Sequence, residues 1–282
     1  MTLPVDSAHR AAPSEQVMVV AIRGSERTER PDRVVGEEPL EIRLGGPTTE
    51  PEPVAVTMRT PGHDFELAVG FLLAEGLLAD QADLRAVKYC ELPEGDEQRY
   101  NVVTVTSARD VDVAARRRAV AVSAACGVCG TATLDELKGR CPEVPAGEPV
   151  DASVLTALPA KLRRHQRVFE QTGGLHAAGL FDTAGRALAV REDVGRHNAV
   201  DKLAGWAAMQ RRLPLDSAVL VVSGRVSFEI VQKAAVAGIG VVAAVSAPSS
   251  LAVETARALG MTLAGFVRDG RANLYAGAHR IR

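Results

Sequence analysis

Aromatic residues are scarce in this chain, and long apolar runs are absent. Only 4% of the 282 residues are aromatic, which argues against base stacking as a way of binding nucleic acid. No apolar stretch approaches the roughly 20 residues that a membrane-spanning helix needs. The first ten residues also lack the basic region and apolar core of a secretory signal. We therefore expect a cytoplasmic protein that binds neither membrane nor nucleic acid.

Cysteine is also sparse, and strong net charge is missing. Four unevenly spaced cysteines in a chain of this length do not form the disulfide framework of a small secreted domain. The formal net charge of -2 gives no electrostatic reason to expect a polyanionic partner. The hydrophobic content of 46% is ordinary for a globular protein with a core.

The pattern along the chain predicts an α/β protein with two domains. Residues 1–15 are polar and contain two prolines, which indicates a disordered N-terminus. Residues 16–141 read as a β-rich N-terminal domain that ends in a CxxC loop. After a Pro- and Gly-containing linker, strands alternate with helices over residues 150–282. This alternation predicts a mainly parallel sheet covered by helices on both faces, a three-layer α/β/α domain.

Helices are predicted at 228–237 and 251–259 in the second half, and three others carry a capping residue or an early proline. One covers residues 63–78 with Asp64 as its cap. The second covers residues 159–171 with Pro159 in its first turn. The third covers residues 199–212 and is capped by Asn198.

The segment around Cys126 and Cys129 carries the most specific local chemistry in the sequence. The two thiols have the CxxC spacing, and each is followed by a glycine that leaves the backbone free to move. A capping-box pattern at residues 133–136 predicts a helix just beyond them. The positive end of that helix dipole would favour the thiolate, which is the reactive form of cysteine.

Several chemistries fit a CxxC pair. A structural zinc site needs four ligands, and neither Cys90 nor Cys141 belongs to a second pair. A thioredoxin-like dithiol would open a long helix within a βαβ unit, whereas the helix predicted here is short. Burial as two small apolar residues conflicts with the flanking glycines. A sulfur-carrying persulfide remains the fourth possibility.

A second group of polar residues follows the predicted strands of the C-terminal half. Arg225 and Ser246 each follow a strand and precede a helix, and His197 lies at the start of another helix. Such positions place N–H groups and cationic side chains where anions bind. The last strand adds further candidates, which are Phe266, Val267, Arg268, Asp269, Gly270 and Arg271. Because these segments meet at the carboxyl ends of the strands, they predict a pocket for a phosphorylated ligand.

Taken together, these segments resemble the FdhD family of formate dehydrogenase accessory sulfurtransferases. The resemblance spans about residues 16–276 and rests on several motifs. They are CGVCG at 126–130, TGGLHAA at 172–178, EDVGRHNA at 192–199 with Asp201 and Lys202, SGRVSFE at 223–229, SAP at 246–248 and ELAVGFLLAEG at 66–76.

The resemblance implies that Cys126 carries sulfur as a persulfide received from a cysteine desulfurase, with Cys129 assisting. It implies that the acceptor is the molybdenum (or tungsten) bis-guanine-dinucleotide cofactor, bound as a substrate along residues 266–271 and destined for formate dehydrogenase. It also implies a homodimer, no resident metal, and a second domain similar in fold to cytidine deaminases. The deaminase zinc motif does not carry over, because Ala199 stands where its acidic residue would be.

A non-catalytic function remains an alternative to the sulfurtransferase function. The chain would hold and present the nucleotide cofactor as a chaperone, and the CxxC pair would be incidental or bound to zinc.

Overall fold

A computed structural model describes residues 12–90, 100–113, 144 and 147–282. The predicted CxxC loop with Cys126 and Cys129 lies outside these residues. So do the helix predicted from residue 133, most of the predicted disordered N-terminus, and half of the linker at residues 142–149.

Among the described elements, strands outnumber helices in the first half, and helices alternate with strands in the second. The strands are β1 (Ser14–Arg23), β2 (Glu26–Val35), β3 (Glu38–Gly45), β4 (Glu52–Arg59), β5 (Leu84–Tyr89), β6 (Val102–Ser107), β7 (His176–Asp182), β8 (Ala187–Asp193), β9 (Ala218–Val222), β10 (Val241–Ala244), β11 (Thr262–Arg268) and β12 (Arg271–Ala276). The helices are α1 (Asp64–Ala74), α2 (Ala152–Arg163), α3 (Arg167–Thr172), α4 (Arg196–Met209), α5 (Phe228–Val236) and α6 (Ser250–Ala258).

The strands form three sheets. β1 and β2 form a two-stranded hairpin, and the second sheet has the order β4-β3-β6-β5. The third has the order β12-β11-β10-β9-β7-β8. Only β9, β10 and β11 are mutually parallel, so the prediction of a mainly parallel sheet is wrong. Short connections join β7 to β8 and β11 to β12, and such connections permit only antiparallel pairing.

Helices cover the six-stranded sheet on both faces, which confirms the predicted three layers. Val219 and Val221 of β9 pack with leucines of α2 on one face. Leu220 and Val222 pack with α4, α5 and α6 on the other. Successive side chains of a strand point to opposite faces, so the uniformly apolar β9 fills both layers. The similarity to cytidine deaminases stays a prediction.

Helices α1 and α4 cross at two glycines and join the two halves of the chain. A Cβ added at Gly70 would overlap the carbonyl oxygen of Asp201, and one added at Gly205 would overlap that of Glu66. The two backbones therefore approach more closely than any larger residue would allow. This contact sets where α4, and hence the start of the EDVGRHNA helix, lies relative to the N-terminal sheet.

Two predicted caps do not cap their helices. α1 is capped by His63 in a left-handed conformation, and Asp64 is instead buried, 3.0 Å from the guanidinium of Arg59. α4 begins at Arg196, and the amide of Asn198 donates to the backbone oxygen of Met58 at 2.8 Å. In both cases a tertiary contact uses the polar group that the local pattern assigned to a cap, with Arg59 five residues away from Asp64 and Met58 far away in sequence from Asn198.

The single helix predicted over residues 159–171 is two helices. α2 begins upstream at Ala152, so Pro159 lies inside it rather than in its first turn. The chain then leaves helical geometry at Gln166 before α3 begins. Within the described ranges, no helix has the length and apolar character needed to cross a membrane.

Candidate functional site

The carboxyl edge of the six-stranded sheet brings the loops after β9 and β10 together. The N–H of Val226 donates to the carbonyl oxygen of Ala247 at 3.2 Å, and the N–H of Ser249 donates back to Val226 at 2.9 Å. Arg225 and Ser246 therefore lie in adjacent loops, as the sequence predicted. Arg225 is exposed and Ser246 is half-buried.

The tip of the β11–β12 hairpin projects from the same edge. Asp269 and Gly270 have φ values of 52° and 73°, and this two-residue left-handed turn pairs Arg268 with Arg271. Both arginines are exposed. The guanidinium of Arg271 lies 3.9 Å from the Asp269 carboxylate, a loose surface pair that is worth little. Two cations are thus held at the edge of the sheet without a strong internal partner.

Phe266 connects this hairpin to the neighbouring loop. It has a φ of 52°, which is strained for an aromatic residue, and its N–H donates to the carbonyl oxygen of Ser246 at 3.1 Å. The residue is 39% exposed, which is unusual for phenylalanine. Val267 is fully buried in the core on the α2 face. Its side chain therefore packs inside the sheet and does not reach the surface with those of its neighbours.

His197 contacts the start of α5, at the N-cap residue Ser227 and at Glu229 in the first turn. Its Nε2 lies 3.0 Å from the Ser227 hydroxyl and 2.9 Å from the Glu229 carboxylate. The hydrogen bond from His197 lowers the pKa of Glu229 below its usual value. One turn further along both helices, Lys233 donates to the buried Asp201 at 2.8 Å. Two polar pairs therefore join α4 and α5, one buried and one at the carboxyl edge.

A cavity of about 650 Å³ opens at this edge on the α2 side. Its lining includes Arg163, Gln166, Phe169, Gly173, His176 and Ser223. The guanidinium carbon of Arg163 lies 4.7 Å from the centre of the Phe169 ring. Burial, and then the nearby Arg196 and His197, lower the pKa of His176 below its usual value, which favours the neutral imidazole. The volume is typical of a small-ligand pocket.

Most of this lining escaped the sequence analysis. Arg163, Gln166 and Phe169 lie on α2, α3 and the turn between them, where local patterns indicate only a basic helix. The available signal was the polar segment at 171–176, which precedes a strand and contains two glycines. The structure brings Arg225, Ser246, Phe266 and the hairpin tip to one edge, with His197 beside them on the opposite face of the sheet from α2.

The charged residues of the EDVGRHNA motif and its continuation mainly join the two halves. Asp193 and Lys202 are both fully buried and form an ion pair of 2.7 Å. Thr60, from the N-terminal half, donates its N–H to Asp193 at 3.2 Å and accepts from Lys202 at 3.0 Å. These contacts fix the N-terminal sheet against α4. From the sequence alone, Asp193 and Lys202 could equally well have been predicted to bind a ligand.

A second cavity of about 310 Å³ lies at this junction. Arg59, Asp64, Tyr89, Tyr100 and Lys202 contribute to its lining. Two of its cations are already paired within the protein, because Arg59 contacts Asp64 at 3.0 Å and Lys202 contacts Asp193. The larger cavity and the arginines at the carboxyl edge remain the better candidate site.

Comparisons with known proteins show which family this chain is similar to. The model of the FdhD/NarQ family matches residues 35–282. Curated relatives named "Sulfur carrier protein FdhD" include one from Streptomyces coelicolor, 51% identical over 275 residues and 95% of each chain. Another, from Mycobacterium tuberculosis, is 52% identical over 263 residues, 89% of this chain and 92% of the relative.

A similar fold is found in a solved structure. A crystal structure of a candidate formate dehydrogenase accessory protein from Desulfotalea psychrophila matches with a TM-score of 0.73 and 23% identity. The match covers 95% of this chain and 99% of that one. At this level of identity the likeness concerns the fold alone.

Proposed function

This chain belongs to the FdhD/NarQ family, and we propose that it carries sulfur in the maturation of a formate dehydrogenase. Sulfur passes from a cysteine desulfurase, through a persulfide on Cys126, to a molybdenum bis-guanine-dinucleotide cofactor that this protein binds as a substrate. The observation that carries the proposal is about 50% identity, over nearly the whole chain, to relatives named as sulfur carriers.

The carboxyl edge supports the part of the proposal that concerns the substrate. A guanine dinucleotide presents phosphates and flat bases. The exposed guanidiniums of Arg225, Arg268 and Arg271 suit phosphate oxygens, because guanidinium donates hydrogen bonds in a fixed fork. The exposed ring of Phe266 and the cavity beside His176 suit a base or a pterin. A cavity of about 650 Å³ accommodates one portion of so large a substrate, and the remainder would extend along the arginines.

The proposed chemistry follows the rules of thiol–disulfide exchange. The Cys126 thiolate attacks the terminal sulfur of the desulfurase persulfide, the S–S bond breaks, and the desulfurase thiolate leaves. The Cys129 thiolate then attacks the inner sulfur of the Cys126 persulfide, which forms a disulfide and releases hydrosulfide to the acceptor. A cellular thiol reductant restores the two free thiols. Binding of the acceptor nearby supplies the positioning.

Mass spectrometry tests the cysteine roles directly. After incubation with a cysteine desulfurase and cysteine, we expect the intact chain to gain the mass of one sulfur atom. Cys126→Ala should lose this gain, whereas Cys129→Ala and the control Cys90→Ala should keep it. A gain kept by Cys126→Ala and lost by Cys129→Ala would reverse the two roles. A chain that gains no sulfur and holds stoichiometric zinc would instead favour the non-catalytic chaperone function.

Calorimetry with GDP tests the substrate site separately. Arg271→Ala should weaken binding about tenfold, as expected for the loss of one charge-assisted contact, and leave sulfur loading intact. Arg186→Ala is the matched control, because Arg186 is an exposed arginine in the β7–β8 turn at the opposite end of the sheet. Equal affinity of Arg271→Ala and the unmodified chain would remove Arg271 from the site.

A further inference from the structure

Two polar side chains in the lining of the larger cavity have no hydrogen-bond partner within the described protein. Gln166 is only 5% exposed, and no group among the described residues hydrogen-bonds its side-chain amide. His176 is half-buried, and its imidazole likewise has no hydrogen bond in the part of the chain that the structure describes. A polar group that leaves water without a new partner costs free energy. Two such groups in one cavity therefore indicate a site that a ligand completes.

The rest of the lining suits a flat and uncharged ring. Leucine and valine side chains contribute to its walls, and the guanidinium of Arg163 lies 4.7 Å from the centre of the Phe169 ring. A guanidinium and an aromatic ring are both flat surfaces on which a further ring can stack. None of the described lining residues is acidic, so the lining gives no reason to expect a cationic ligand. Apolar walls with a few polar groups are the usual composition of a small-molecule site.

The imidazole of His176 is suited to accept a hydrogen bond from a ligand. Its pKa is lowered by burial first and then by Arg196 and His197, which favours the neutral ring. A neutral imidazole has one nitrogen that donates and one that accepts. A Cβ added at Gly224 would lie 3.3 Å from Nδ1 of His176, so this glycine leaves room beside the imidazole.

The side-chain amide of Gln166 is complementary to a ring that carries a carbonyl group beside an N–H group. The amide oxygen accepts a hydrogen bond from the ring N–H, and the amide nitrogen donates one to the ring carbonyl. A 2-amino-4-oxopyrimidine ring presents these two groups side by side, and its amino group follows as a further donor. Guanine and pterin both contain this ring, whereas adenine has neither the carbonyl nor the 2-amino group.

We propose that the larger cavity binds the 2-amino-4-oxopyrimidine ring of guanine or pterin, and that Gln166 and His176 are its specificity-determining residues. Gln166 pairs with the carbonyl and the N–H of the ring, and His176 accepts a hydrogen bond from the amino group. The choice of this ring rests on the proposed function, because the guanine-dinucleotide cofactor contains both guanine and pterin. The arginines at the carboxyl edge then contribute affinity for the phosphates and no discrimination between bases.

Calorimetry with GDP and inosine diphosphate (IDP) isolates the amino group, because the two nucleotides differ only in that group. If guanine occupies the cavity, we expect the wild-type chain to bind GDP at least about tenfold more tightly than IDP. His176→Phe should reduce this ratio to about one, and Gln166→Leu should weaken the binding of both nucleotides about tenfold. Arg271→Ala should lower both affinities equally and keep the ratio.

Pterin and lumazine form the second pair of probes, because lumazine carries a carbonyl group in place of the 2-amino group. If pterin occupies the cavity, the wild-type chain should bind pterin more tightly than lumazine, and His176→Phe should abolish this difference. The GDP-to-IDP ratio should then be the same in both chains. The proposal is overturned if the wild-type chain discriminates within neither pair, if His176→Phe keeps the discrimination, or if Gln166→Leu binds every probe as the wild-type chain does.

Gln210→Leu and His279→Phe are the matched controls. Gln210 follows α4 and His279 follows β12, and both residues are exposed at the edge of the sheet opposite the cavity. Both variants should bind all four probes as the wild-type chain does. Gln166→Leu should also keep the free energy of unfolding, since the amide has no partner to lose. Weaker binding by this variant is then a loss of ligand contacts and not of the fold.

The outcome is separable from that of the proposed function. Loading of sulfur on Cys126 does not involve the ring, so a failure of this inference leaves the mass gain of the chain intact. A failure of the proposed sulfur transfer removes the mass gain and leaves the binding ratios unchanged.

Discussion

Replacing Gly70 by alanine at the α1–α4 crossing distinguishes packing from helix propensity. In a helix interior, glycine costs about 0.5–1 kcal/mol relative to alanine, so propensity alone predicts that Gly70→Ala stabilises the protein. The structure predicts the opposite. The added methyl would overlap the carbonyl oxygen of Asp201, a backbone atom in another helix that cannot rotate away.

The helices would have to separate to accept the methyl group. Overpacking of a close contact costs about 1–3 kcal/mol. Because both contacting groups belong to helix backbones, we expect the upper end, a loss of about 3 kcal/mol. For a chain of this size the corresponding fall in Tm is roughly 6–12 °C.

Urea unfolding followed by tryptophan fluorescence measures the effect. Trp206, the only tryptophan, lies in α4 beside Gly205 and therefore reports on the helix concerned. Ala160→Gly on the exposed side of α2 is the control, since it changes propensity without a helix contact and should cost about 1 kcal/mol. An unfolding free energy of Gly70→Ala equal to or above that of the unmodified chain would refute the close crossing.

Two further predictions concern buried and half-buried charges. Lys202→Met should lower the free energy of unfolding by about 3 kcal/mol, because it leaves the Asp193 carboxylate buried without its cation; a loss below about 1 kcal/mol in denaturant titrations would show that the remaining N–H donors suffice. His176 has a lowered pKa in the folded state, so its contribution to stability is present above its unfolded pKa of about 6.5 and is lost as the pH falls through the folded pKa. The free energy of unfolding should therefore fall less steeply on acidification through this window in His176→Asn than in the wild-type chain. Identical pH profiles of the two proteins would contradict a lowered pKa of His176.

The sequence by itself identified most elements of the second half and the edge at which polar loops gather. The apolar strand around Val221 and the helix that begins after Ser227 follow from periodicities and turn residues within short windows, which are local properties. The order of a strand, a polar loop and a helix then places Arg225 and Ser246 at the carboxyl edge. The family motifs followed from the same reading, because they are short and contiguous.

Only the tertiary structure decided which polar groups face a ligand and which hold the protein together. Asp193 and Lys202 belong to the same local pattern as His197, yet their partner is Thr60, more than a hundred residues away in the sequence. The antiparallel pairing of β7 with β9 and the lining contributed by Arg163 are likewise set by long-range packing. Local preferences amount to tenths of a kcal/mol per residue, whereas burying a charge or overlapping two helices costs several, so the distant contacts prevail wherever the two conflict.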